Sequence, residues 1–394
     1  MSASEADLDA LRLAGDPAVD DLVAAQAARS GDQVIGRLLG RLFQHTEMPD
    51  DDPLVDAFTA RFAAEARARS GGDPARVAAG QTLFELYGPE VFLILGSYSL
   101  PLAYAAGNGV QVIHRARRLK DDPIRRLCDT AQMVLNVMQR GELEPGRVGY
   151  QSARKVRLIH ALIRHHVRAP AAGAWPDAWG VPISQEDQAG TLLTFSLAPI
   201  HGLRRMGAVL TEAEADAYVY AWSAVGRLLG VHESLLPADE AAATALALQI
   251  GRRQMRATPE GSELAAQLME AVGSLFPFPG YAVSLTRFFL QDTVFGADVA
   301  SMLRLPPSNW TRWLVRLRAA QKRVVLSWLD RVPGARRRRS FVARRFAQAM
   351  IRLKRPDGAA VFALPPALAH SWGLGGGGGG GGDGRALQDD SGSR

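Results

Sequence analysis

The rhythm of the apolar residues restricts the fold more than any other feature of this chain. From Asp20 to about Val332 they recur three and four apart, in segments that stop at Pro and Gly. No two segments alternate in the way that paired strands would. Ala, Leu and Arg dominate, while runs rich in Val, Ile, Thr and aromatics are scarce, so helix is favoured throughout. With 394 residues and 47% hydrophobic content, such helices can bury a large core. An all-α fold in a single large helical domain is expected.

Start and stop signals divide the chain. Residues 1–47 read as a helical lead-in and 48–332 as the main domain. A helix from about Pro74 is expected to end at Leu86, before Gly88-Pro89. The apolar Val91 to Ala106, interrupted by Ser97, Ser99 and Pro101, reads as a buried helix and its continuation, too short to span a bilayer. Asp121-Asp122-Pro123 opens a helix through Val137, and Ser184 to Asp187 and Thr211 to Glu214 are capping sequences for two more. A basic amphipathic helix is expected within 333–372, with Val342, Phe346, Met350 and Leu353 on one face. The segment 373–394, which contains Gly375 to Gly382, reads as a flexible tail.

Several classes are excluded at this level. Cys128 is the single cysteine, so neither an intramolecular disulfide nor a cysteine zinc site can form. The acidic N-terminus lacks the basic and apolar regions of a secretory signal, and a cytoplasmic location is expected. The net charge of +6 is concentrated late, between Arg331 and Arg355. No nucleic-acid motif accompanies it, and no nucleic-acid partner is expected. Two readings of Arg336 to Leu353 stand side by side: peripheral contact with an anionic membrane, or an ordinary basic helix end.

The stretch most suited to chemistry is Arg154 to His166. On a helix, Val156, Ile159, Ile163 and Val167 fall to one side of His160, and Arg157 and Arg164 to the other. Such a seam suits a flat, apolar, doubly anionic ligand such as haem: imidazole on the iron, aliphatic carbons over the ring, guanidiniums on the propionates. It equally suits a structural histidine beside surface arginines. Arg126 and Thr130, four apart, share a helical face and would orient a bound anion, or else Thr130 bonds back along its own helix. His165 and His166 lack the spacing of a zinc pair with His160, and His201 and His232 are candidate supporting groups.

Several segments together resemble the family of latex-clearing rubber oxygenases and mycophenolate-pathway oxygenases. They are Leu83 to Pro89, Arg126-Leu-Cys-Asp-Thr130, Val156 to Ala161, Ile183 to Phe195, Trp222 to Gly226 with Leu228 to Pro237, and Leu303 to Pro306. The resemblance implies an all-helical fold with a globin-like core holding haem b. It implies His160 as the proximal iron ligand and Arg126 and Thr130 on the haem's other side. In latex-clearing members a lysine before that threonine can ligate the iron, and a glutamate upstream serves as base. Here Asp129 takes the lysine's place, Val110 falls near the glutamate's, and no Glu lies between Glu90 and Glu142. The expectation is a haem-dependent oxygenase using dioxygen on a hydrophobic, isoprenoid-like small molecule, with Arg157 and Arg164 at the cofactor. The alternative is a non-catalytic haem-binding or membrane-peripheral helical protein.

Overall fold

The computed structural model describes residues 4–44, 48–68, 72–117, 123–169, 173–291 and 294–329. The basic helix expected within 333–372 and the glycine-rich tail lie outside them. The described residues are helical in the order α1 (Glu5–Arg12), α2 (Pro17–Ser30), α3 (Asp32–Gln44), α4 (Pro53–Ala68), α5 (Pro74–Ile94), α6 (Leu100–Ala105), α7 (Gly109–Arg117) and α8 (Pro123–Met138). There follow α9 (Val148–Arg168), α10 (Gln185–Arg205), α11 (Glu212–Leu228), α12 (Glu240–Gln254), α13 (Pro259–Gly273), α14 (Tyr281–Leu290), α15 (Val299–Met302) and α16 (Thr311–Leu329). Among them the only β pairing is one isolated antiparallel bridge, Ala106 with Met255. No described helix is long and apolar enough to cross a membrane.

The capping sequences act as their chemistry requires. Ser184 and Asp187 form a reciprocal capping box at the start of α10, and Thr211 and Glu214 form another at α11. Gly88-Pro89 differs from expectation. The chain kinks at Tyr87 (φ −118°, ψ 17°), and helix continues beyond Pro89 to Ile94. Proline removes one backbone donor and crowds the preceding turn, which bends a helix whose flanks are held by packing rather than ending it. A five-residue π-helical turn, Leu95–Ser99, then joins α5 to α6.

Two apolar clusters form the interior. The larger gathers Phe84, Tyr98, Leu197, Trp222 and Phe289 from α5 onward. The smaller sets Val19, Val23, Leu39, Phe58 and Phe62 of α2–α4 against Leu158 and Leu162 of α9. Helix α9 is therefore buried from both sides, and the lead-in helices are its outer wall.

Candidate functional site

On its inner side α9 borders a cavity of about 430 Å³ enclosed with α6, α7, α8, α10 and α13. Leu102, Val112, Met133, Phe195 and Leu268 supply apolar walls, with Val156 and Ile163 one helical turn either side of His160. Ile159 belongs instead to the cluster against the lead-in helices. Cavities of this size and lining hold apolar small molecules with a few fixed polar contacts.

His160 and Thr130 both line this cavity. Arg126 lies on α8, one turn before Thr130, but its side chain is outside the described residues. Burial pushes the His160 imidazole down to about 4, assisted by the Arg164 charge and opposed by a hydrogen bond with Gln188. The ring is therefore neutral at pH 7, the form that ligates a metal. Its Nδ1 is buried without a hydrogen-bond partner among the described residues. No described cluster of three or more His, Cys, Asp or Glu is arranged to hold a metal ion. A lone neutral histidine in an apolar cavity fits a metal that brings its other ligands with it, as haem iron does.

The structure does not bring Arg157 and Arg164 to the cavity. Arg157 is buried against Asp16, with Nε and Nη2 donating at 2.6 and 3.0 Å, while Nη1 donates to Glu65 at 2.8 Å. Gly230 (φ 81°) lets the guanidinium lie close: a Cβ there would sit 2.5 Å from Arg157 Nε. Arg164 Nε donates to both oxygens of Asp20 at 2.8 and 3.1 Å, and Nη1 to the Ile183 carbonyl at 3.2 Å. Arg154 completes the row: it donates to Thr59 at 2.8 Å, and its guanidinium lies over Phe62. The guanidinium stripe is a clamp on the α2 and α4 segments, whose Asp16, Asp20, Thr59 and Glu65 sit 92 to 144 residues away in sequence. His232 and His201 also lie elsewhere. His232 caps the turn at Ser234, and His201 lines a second, separate concavity.

Sequence reasoning missed the polar wall of the cavity, formed by Glu186, Asp187, Gln188 and Gln254. Glu186 is fully buried; Arg253 Nε donates to it at 2.6 Å and Gln254 Nε2 at 2.8 Å. Burial raises its pKa while Arg253 and Arg12 oppose the rise. Asp187 is paired with Arg12. The capping-box pattern accounted for these acids as helix-start residues and so hid their second exposure, to the cavity. Just before the cap, Ile183 is held at φ 51°, a left-handed conformation that a β-branched side chain resists.

Asp129 is buried next to Thr130. Its charge acts on Lys155 of α9, whose ammonium burial pushes down to about 8. A buried lysine is thus present, but on α9 and turned to Asp129, and neither residue lines the cavity.

The chain is of the all-α class, with a neutral histidine on a largely apolar cavity. Within that class the chain belongs to the family described as ER-bound oxygenase mpaB/B'/rubber oxygenase, catalytic domain, whose model matches residues 91–326. It is 29% identical over 183 residues to the rubber oxygenase of Streptomyces sp. (strain K30), a match covering 46% of this chain and 44% of that protein. The chain thus spans under half the length of that relative. The fold is similar to the latex clearing protein LCP in its closed state, with a TM-score of 0.64 and 21% identity over 86% of this chain and 91% of that one.

Proposed function

We propose that this chain is a haem b-dependent oxygenase that uses dioxygen on a hydrophobic, isoprenoid-like small molecule. The observation that carries the reading is His160: neutral, with an unpartnered Nδ1, on an apolar cavity that Thr130 shares. Family membership supports oxygenase chemistry. When bound, haem would supply the iron-centred reactivity towards dioxygen.

The chain's own residues would do the rest. His160 would hold the metal, with Val156 and Ile163 as its apolar neighbours on the cavity wall. Thr130, and Arg126 from the turn before it, supply a hydroxyl and a charge to the bound oxidant or substrate. The apolar walls exclude water and align an unsaturated chain. Glu186 takes the place of the missing upstream glutamate as the carboxylate that moves a proton, because burial makes its protonated form more accessible. The propionates would meet groups other than Arg157 and Arg164, neither of which lines the cavity.

The test is spectroscopic. Purified chain supplemented with haem gives a Soret band that His160→Ala removes or shifts, and oxygen uptake follows addition of a polyprenyl substrate. A folded, colourless wild type after haem addition overturns the reading. A coloured protein with no oxygen uptake across a polyprenyl panel overturns the catalytic half alone.

A further inference from the structure

A second concavity, of about 760 Å³, lies between α10, α14 and α16, and the haem reading makes no use of it. His201 and Arg205 of α10 and Arg316 and Arg323 of α16 line it, over Phe288 and Phe289, and among the described residues no carboxylate does. Glu240 reaches His201 at 3.6 Å and is held by Arg204 at 2.9 Å. Arg205 donates to Gln291 at 2.6 Å, with its guanidinium 4.7 Å from the Phe288 ring centre. Gly207 (φ 95°) lets α16 lie against the end of α10, since a Cβ there would sit 2.6 Å from the Arg323 Cα. The basic wall is built into the packing.

Beside this cavity α16 presents an apolar stripe that is exposed among the described residues. Trp310, Trp313, Leu317 and Val324 are 55–68% exposed. At about 100° per residue, Trp313, Leu317 and Val324 fall within roughly 40° of one another. Arg316 and Arg323 fall about 80–100° to one side of that stripe, and the buried Val315 lies about opposite. The helix carries Arg312, Arg316, Arg318, Lys322 and Arg323 and no acidic residue. The guanidiniums of Arg312 and Arg316 lie over Trp313, at 5.4 and 5.3 Å from its ring centre.

We propose that α16 docks this face on an anionic phospholipid bilayer, its Trp–Leu–Val stripe among the headgroups and one lipid phosphate in the His201–Arg205–Arg316–Arg323 cavity. Charge complementarity selects the occupant. The chain beyond Leu329 carries Arg331 and Arg336 to Arg339, so covering the face with that continuation would set cation against cation. Tryptophan prefers the bilayer interface, and arginine spreads its stem over apolar surface while its head meets phosphate. A basic amphipathic helix with this division lies in the interface plane.

The test uses the full chain in cosedimentation with vesicles of phosphatidylcholine alone and of phosphatidylcholine with phosphatidylglycerol. Binding is expected to the anionic vesicles only, and to weaken as salt rises. Arg316→Glu and Arg323→Glu each lower vesicle affinity about tenfold or more. Trp313→Ala with Leu317→Gln weakens it further, with helical circular dichroism retained. Arg336 to Arg339→Ala leaves the effect of Arg316→Glu in place. Absence of binding, equal binding to both vesicles, or binding untouched by the α16 variants overturns the proposal. Binding of inorganic phosphate without binding of vesicles also overturns it, in favour of a small-anion site.

Discussion

The two sides of α9 use the same helix for opposite ends. One side carries Arg154, Arg157 and Arg164, each buried and hydrogen-bonded to Thr59, Asp16 and Asp20 respectively, with Arg154 Nε and Arg164 Nη2 left without a partner among the described residues. The other carries His160, whose Nδ1 has no partner among the described residues. Charges are buried where a partner pre-exists, because an unmatched buried charge is costly. The His160 side is the one that faces the cavity. The lesson is that a guanidinium stripe beside a histidine does not by itself locate a cofactor's acids; the partner set decides.

The largest blow to this division should come from Arg157→Met. It strands the buried Asp16 carboxylate and should cost about 3–5 kcal/mol, read as a lower denaturant midpoint. Arg164→Met should cost less, about 1–3 kcal/mol, because Asp20 is 30% exposed and water can replace the guanidinium. Either variant, if it folds, should retain the Soret band of haem-loaded protein. Loss of haem with stability intact would move that arginine to the cofactor.

His160→Ala should behave in reverse, abolishing the Soret band while the midpoint of the haem-free protein moves by about 1 kcal/mol or less. Acid is a gentler probe of the same residue. Its folded pKa, about 4, lies below the ordinary value of 6.5, so the unfolded chain takes up the proton first. This residue's contribution to stability should be complete above pH 6.5 and should fall as pH drops towards 4. In His160→Ala that part of the acid sensitivity should vanish in matched titrations. An unchanged acid profile would show that the imidazole is not desolvated. Thr130→Val should have the smallest effect, leaving haem binding intact and changing oxygen uptake by roughly tenfold.

The sequence exposed local order well and distant partners poorly. Ser184 with Asp187 and Thr211 with Glu214 are legible because a capping box is complete within four residues. His160 and Thr130 are legible because periodicity places them on helix faces, and the family resemblance sets those faces towards one ligand. Periodicity sets Arg157 and Arg164 beside His160 because it reports a shared face and says nothing of Asp16, Asp20 and Glu65 across the fold. Gly88-Pro89 marks a bend that only packing can tell from an end. Glu186 was hidden because one residue meets two demands, near a helix start and on a cavity wall.

Ile183 ties the two sides of α9 to one peptide group. Its carbonyl accepts from Arg164 of the clamp at 3.2 Å and from Gln188 at 3.4 Å, and Gln188 in turn meets the His160 ring. A left-handed β-branched residue costs on the order of 1–3 kcal/mol, so this peptide is held in place by what it joins. Occupancy at His160 and protection of the lead-in helices should then be thermodynamically reciprocal. Haem should slow amide exchange in α2 and α4, and Ile183→Gly should relieve the strain and make the two ends respond independently.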